Sequence, residues 1–186
     1  MPLIFEASFG PEDRLWVWET AEVLRPFLSD ASLLRLQGMK KESSKNCFLA
    51  IRHLLERAGY SDKDLLYTKE GKPYLLDGTS VSISHSENRA ALYLGRTPSG
   101  IDLQKINPEK IQKAAFLFSD GGSDKALTLE WAVKESIFKI SDSRPLDFKE
   151  HIHLKNGKAS SSYSGWERDF AVEYWLLDQF YLVRVT

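Results

Sequence analysis

The segment Leu129-Glu-Trp-Ala-Val-Lys-Glu-Ser-Ile-Phe-Lys139 constrains this chain more than any other stretch. Wound at about 100° per residue, it predicts a helix with two working faces. Ala126, Leu129, Val133, Ile137 and Ile140 fall together as an apolar stripe for a core. Trp131, Glu135 and Lys139, each four residues apart, line up on roughly the opposite side. An acid and a base at i and i+4 commonly form a solvated surface pair worth about 0.2–0.5 kcal/mol. The tryptophan in the same column argues otherwise, because a solvent face seldom carries one. Indole, carboxylate and ammonium in one column read as the side of a cleft.

At 186 residues the chain suits one domain or two small halves sharing a core. Its 42% hydrophobic and 12% aromatic content is that of a folded globular protein. A formal net charge of −1 supplies no general field for nucleic acid or an anionic membrane, so neither is an expected partner. Phosphate chemistry would therefore need a local cluster of bases. The single Cys47 excludes an internal disulfide and a cysteine zinc site, and reads as a small packed side chain on a helix. The opening Met-Pro-Leu-Ile-Phe-Glu lacks a basic region followed by an apolar run, so no secretory signal is expected. No apolar run approaches the roughly 18 residues that span a bilayer. The expectation is a soluble cytoplasmic protein.

In chain order, Leu15–Thr20 is β-branched and aromatic and predicts a first strand. Residues 29–58 predict helix, broken near Gly38 and closed by Gly59 as a C-terminal cap. Phe48, Ile51 and Leu55 form the buried stripe of its second part, with Lys41, Lys45 and Arg52 along one edge. Those bases read either as a solvated rim whose stems cover apolar surface, or as an anion-binding edge. Leu65–Leu76 predicts two short extended pieces around Glu70-Gly71, and Asp77-Gly78 another turn. Ser80–Ser86 alternates as a half-buried strand, with Ala90–Gly95 as its hairpin partner. Arg96-Thr-Pro-Ser-Gly100 is a linker between an N-terminal half, 1–97, and a C-terminal half, 98–186. Ile101–Gln104 predicts a strand, followed by a polar, Gly-rich region before the Trp131 helix. After Leu146, strands are expected at His151–Leu154, Ala171–Leu177 and Tyr181–Val185, with turns at Asn156-Gly157 and near Asp178. The fold class is α+β: two similar halves, each a small, mainly antiparallel sheet on a long helix. No residue-level repeat links them.

Taken singly, the chemical candidates say little. His85 between two serines, or Asp102 beside the linker, is most simply a structural residue. Lys72-Pro73 indicates only a turn feeding an extended segment. There is no Gly-rich phosphate loop and no nucleophile elbow. His151 and His153 share a strand face, yet no third metal ligand lies near them in sequence, so they read as surface residues.

Taken together and in order, four motifs are far more specific: Glu70-Gly-Lys-Pro73, Ser82-Ile-Ser-His-Ser86, Gly100-Ile-Asp-Leu-Gln104 and Trp131-Ala-Val-Lys-Glu-Ser-Ile-Phe-Lys139. The set resembles the 4′-phosphopantetheinyl transferase superfamily, in its longer, monomeric surfactin-synthetase type. That family shows Gly-Lys-Pro, an Asn-x-Ser-His-Ser strand, Gly-Ile-Asp-x-Glu and Trp-x-x-Lys-Glu-x-x-x-Lys. The resemblance implies two α+β halves related by a pseudo-two-fold axis, an active site at their junction, and a monomer. It implies that coenzyme A gives its phosphopantetheine arm to a serine of an apo acyl or peptidyl carrier protein, with Mg²⁺, releasing 3′,5′-ADP. Asp102 and Glu135 resemble the family's metal-binding acids, and Glu135 is the candidate to accept the serine proton. Lys139 would stabilise the phosphates as charge moves to the leaving oxygen. Lys72, Ser84 and His85 resemble the residues that hold the nucleotide's phosphates. Lys41, Lys45 and Arg52 lie where the family often brings bases to the 3′-phosphate, and Trp131 would wall the pantetheine channel.

The pattern departs from the family in three places. Gln104 stands where the second acid of Asp-x-Glu is expected, which keeps a carbonyl ligand but removes a charge. Ser82 replaces the asparagine. The glutamate that follows Phe-Ser in the family is absent after Phe118-Ser119, leaving Asp120 or Asp124 to supply an acid. The alternative is thus a degenerate relative that binds coenzyme A or a carrier protein without turnover.

Overall fold

The computed structural model describes residues 2–20, 24–141, 144–155 and 158–186. The chain divides into two compact units, Met1–Thr97 and Pro98–Thr186.

In the first unit β1 (Leu3–Ser8) and β2 (Arg14–Glu19) form a hairpin, followed by α1 (Asp30–Gly38) and α2 (Glu42–Arg57). A short hairpin, β3 (Leu65–Tyr67) and β4 (Pro73–Leu75), precedes a long one, β5 (Ser80–Ser86) and β6 (Arg89–Gly95). The main sheet is antiparallel in the order β1-β2-β6-β5. β2 is the central aromatic strand, and the strand expected first is therefore the second. β1 is an edge strand whose residues alternate between half-buried and exposed.

α2 lies on this sheet because its apolar positions share one face. Cys47, Ala50, Ile51, Leu54 and Leu55 pack with Trp16, Trp18, Leu92 and Leu94 in one buried cluster. The helix ends at Arg57 with Ala58 as its cap, and Gly59 follows with φ +88°, a left-handed value that glycine adopts without steric cost. Cys47 is fully inside: burial pushes its thiol up to about 11, and Sγ points at the carbonyls of Glu87 and Arg89. α1 is held by polar bonds instead. Ser29 caps it by accepting from the Ser32 amide, and Ser32 is the residue that α1 buries.

In the second unit β7 (Gly100–Lys105) is followed by α3 (Pro108–Ala114) and α4 (Asp124–Ile140). Five strands complete it: β8 (Ile152–Lys155), β9 (Lys158–Tyr163), β10 (Trp166–Phe170), β11 (Val172–Leu177) and β12 (Phe180–Val185). They form two antiparallel sheets, β11-β12-β7 and β10-β9-β8. Ala132, Val133, Ile137 and Ile140 of α4 pack against Val183 and Val185 of one sheet and Ile152, Ala159 and Phe170 of the other.

Three sequence expectations need correction here. The polar region before α4 contains a helix, α3, whose start signals are present: Asn107 accepts from the Lys110 amide and Pro108 opens the first turn. β9 and β10 were hidden by their serines and charges. They are joined at Ser164-Gly165, where both φ values are positive (50° and 79°), the geometry that suits a two-residue hairpin loop. The apolar stripe of α4 is also displaced. Ala126 is exposed and Leu129 only half-buried, while Thr128, Lys134 and Ser136 are buried, because α4 is packed on more than one side. The expected turn at Asn156-Gly157 lies outside the described residues.

The chain is thus mixed α+β, with four α-helices and small antiparallel sheets among the described residues. No helix among them is long and apolar enough to cross a membrane.

Candidate functional site

In the second unit a glycine sets the geometry. A Cβ at Gly100 would stand 1.9 Å from the Ser136 carbonyl oxygen, so only glycine lets β7 pass α4 this closely. Strand alternation places Gly100, Asp102 and Gln104 on one face of β7. With strand and helix in contact, Lys139 Nζ donates to Asp102 Oδ1 at 2.9 Å and to the Ile101 carbonyl at 2.8 Å. Asp102 is buried and Lys139 half-buried, so solvent screens this pair less than a surface bridge.

Glu135 stands one helical turn before Lys139. Its carboxyl is raised above the ordinary glutamate range, first by burial and then by the negative charge of Asp102, with Lys139 pulling the other way. Two carboxyl groups and one ammonium therefore share one electrostatic site. Gln104, on the same strand face as Asp102, lies opposite Tyr181 and is partly exposed.

Trp131 shares the helical column but is engaged elsewhere. Its ring meets Phe118 edge-on at 5.1 Å and Phe148 at 5.3 Å, in a cluster that also contains Ile111 and Leu127. Aromatic packing is sufficient reason for a tryptophan at this position, without a cleft. The carbonyls of Phe118 and Phe148, which flank it, both accept from Lys134. Only 3% exposed, this lysine donates to them from Nζ at 2.6 Å and 2.7 Å, and meets Glu130 at 3.1 Å. The available signal was its spacing of seven from Leu127 and three from Trp131, which sets it on the face of this aromatic cluster, where a buried lysine must find partners.

Neither substitute acid joins Asp102 and Glu135. Asp120 pairs with Lys149 at 2.9 Å at the surface, and that hydrogen bond holds its carboxyl below the ordinary range. Asp124 accepts from Gln112 at 2.8 Å. Among the described residues no group of three or more His, Cys, Asp or Glu side chains is arranged to hold a metal. His151 accepts the Asp147 amide at Nδ1 and packs edge-on against Tyr163, while His153 is exposed.

In the first unit Lys72 follows Gly71, whose φ of +86° turns the chain, and precedes Pro73, the first residue of β4. The Lys72 amide donates to Thr68 Oγ1 at 3.3 Å. Ser84 and His85 are consecutive in β5 and so point to opposite faces of the sheet: Ser84 is buried at 6% exposure on the face away from α2, and His85 is exposed. His85 lies opposite Ala90, on the face that α2 covers. Cys47, near the start of α2, reaches the carbonyls of residues 87 and 89, so the helix start carrying Lys41 and Lys45 lies over the same end of the sheet. Lys41 is exposed at the N-cap, and Lys45 meets Glu42 at 3.2 Å.

Arg52 is a correction. Read as part of a solvated rim or an anion-binding edge, it is 3% exposed and donates from Nε to Asp62 Oδ1 at 3.0 Å. Its guanidinium stacks on Phe48 at 3.7 Å. Asp62 also accepts from the amide and hydroxyl of Ser29 and the hydroxyl of Ser32. Burial alone would raise this carboxyl, but these donors and Arg52 bring it below the ordinary range. The charge of Arg52 is thereby committed to a structural network.

A scan of family models finds none that matches this chain, and a search of curated proteins also finds no match.

Proposed function

We propose that this chain transfers the 4′-phosphopantetheine arm of coenzyme A to a serine hydroxyl of an apo acyl or peptidyl carrier protein, with Mg²⁺, releasing 3′,5′-ADP. The reading rests on the four ordered motifs and on one observation above all: Asp102, Glu135 and Lys139 share one electrostatic site in the second unit.

The donors suit a magnesium ion, which takes hard oxygen ligands and keeps several waters, so few protein ligands suffice. Asp102 and Glu135 would hold it, with the Gln104 carbonyl as a third candidate. When bound, such an ion would offset the charge of the pyrophosphate. Glu135, with its raised carboxyl, is suited to accept the serine proton near neutral pH. The serine oxygen then bonds to the pantetheine-side phosphorus, and the bond to the 3′,5′-ADP oxygen breaks with its electron pair leaving on that oxygen. Lys139, half-exposed beside Asp102, would steady the phosphates, and Lys72, His85, Lys41 and Lys45 would hold the nucleotide end. Trp131 would border the pantetheine arm from its aromatic cluster.

Gln104 is the specific observation that favours the second reading, a relative that binds without turnover. Intact-mass analysis of an apo carrier protein incubated with this chain, coenzyme A and Mg²⁺, beside an EDTA control, separates the two. Transfer predicts a magnesium-dependent gain of one phosphopantetheine arm. Coenzyme A binding without mass gain on several apo carriers would establish the binder instead.

A further inference from the structure

Two lysines of α4 are drawn into the second unit, and they are held in different ways. Lys134 is enclosed. Its side chain is 4% exposed, and its ammonium meets the carbonyls of Phe118 and Phe148 and the Glu130 carboxylate, which occupies all three N–H donors. Lys139, in the last turn, keeps 26% of its side chain exposed. It meets two oxygens, Asp102 Oδ1 at 2.9 Å and the Ile101 carbonyl at 2.8 Å. A lysine head on a flexible four-carbon stem, with a quarter of its side chain in water, can swing out without opening the core.

The chemistry of those two oxygens says what else suits the position. A carboxylate and a backbone carbonyl are the hard donors that a divalent cation takes. The Asp102 side chain is 8% exposed, and a carboxylate so buried needs a positive partner. In this structure Lys139 is that partner. With a divalent cation on the same carboxylate, the Lys139 ammonium would stand at close range to a like charge and be repelled.

We propose that the Lys139 ammonium is a resident counter-ion in the cation position of Asp102, and that it gives up Asp102 and the Ile101 carbonyl when the site is loaded with Mg²⁺. The proposal rests on the magnesium-dependent reading above and adds an order to it. Without metal, Lys139 keeps Asp102 paired and is itself withheld from phosphate. After loading, its donors are released to the phosphates of coenzyme A. Coenzyme A therefore binds more tightly with Mg²⁺ present, and by reciprocity Mg²⁺ binds more tightly with coenzyme A.

The test follows the lysine itself. An ammonium group gives a proton–nitrogen signal in NMR when burial and hydrogen bonding slow its exchange with water, so Lys134 and Lys139 stand out from the surface lysines. The Lys139 signal is assigned by its absence from Lys139→Arg. As MgCl₂ is added to the whole chain, it is expected to fade while the Lys134 signal stays. Backbone amide shifts at Asp102 and Leu103 in the same samples report loading. A Lys139 signal that persists after those shifts saturate overturns the proposal and leaves magnesium binding standing. Amides that do not shift at any Mg²⁺ concentration remove the metal reading, and this proposal with it.

Melting supplies a second readout. Lys139→Met leaves Asp102 without its counter-ion, so it melts below wild type in EDTA. It is expected to reach half its magnesium-induced rise in melting temperature at about tenfold less Mg²⁺ than wild type, because no resident charge opposes the ion. Equal half-saturation in the two proteins also overturns the proposal.

Discussion

Each unit sets a base of its long helix against a buried aspartate, and the two arrangements differ in what they leave over. In the first, Arg52 and Asp62 are both nearly buried, and Asp62 accepts from Ser29, Ser32 and Arg52. Every charge has its counter-charge and the carboxyl is driven below its ordinary range. In the second, Lys139 pairs with Asp102, while Glu135 is driven above its ordinary range, first by burial and then by the charge of Asp102, with Lys139 pulling the other way. A saturated network holds a fold together. A carboxyl raised by burial and a neighbouring acid is the kind of perturbation that gathers at functional sites.

The largest expected effect lies in the unsaturated network. Glu135→Gln keeps the shape but removes the proton acceptor, and should lower transfer by about 10²–10⁴-fold, measured as holo-carrier formed per minute. The same variant removes a charge that the folded state disfavours, so it should melt higher than wild type at neutral pH. Wild-type rates from Glu135→Gln would remove this residue from the chemistry.

The saturated network should respond in stability. Arg52→Met leaves Asp62 buried without its cation and should cost about 3–5 kcal/mol, read from denaturant midpoints. The double variant Arg52→Met/Asp62→Leu should recover part of that loss, and equal losses in the single and double variants would show that the pair contributes nothing.

The two networks should also bend the pH–stability curve in opposite directions. Asp62 is depressed when folded, so its contribution is present above the ordinary aspartate range and disappears as pH falls through its folded value. Glu135 is raised when folded, so its contribution is complete below the ordinary glutamate range and is lost as pH rises through its folded value. Melting against pH should therefore show the advantage of Glu135→Gln vanish in acid, where the wild-type side chain is also neutral. An advantage that persists there would assign it to packing.

Gln104→Glu adds the missing acid to the strand face of Asp102 and should lower the Mg²⁺ concentration for half-maximal transfer about tenfold. An unchanged magnesium requirement would show that position 104 faces away from the site. The smallest effect is expected at Lys45, already shared with Glu42 at the surface. Lys45→Ala should raise the KM for coenzyme A a few-fold with kcat unchanged, as loss of uniform binding does.

The contrast between the networks was only half legible in the sequence. The Trp131, Glu135 and Lys139 column followed from helical spacing, and the strands around Ser82 and Ile101 from alternation. Asp62 could not have been found, because it sits in a polar turn ten residues beyond Arg52 and its burial depends on how Ser29 and Ser32 fold over it. Arg52 and Lys45 share a helical edge, yet the turn holding Asp62 covers only the first of them. Lys134 was missed for a related reason: a helix packed on one side has one stripe, whereas α4 is packed on several. The serine-rich β9 shows the same limit, since neighbouring strands and not its own propensity place it in a sheet.

The buried thiol of Cys47 makes the first unit separately observable. Buried, and with its thiol pushed up to about 11, it should resist alkylating reagents while folded. Because it is the only thiol in the chain, labelling after a brief exposure to denaturant counts openings around α2 and nothing else. Indole emission from Trp131, Trp166 and Trp175 reports on the second unit, once Trp16 and Trp18 are replaced by phenylalanine. A single sample can then be asked which unit opens first.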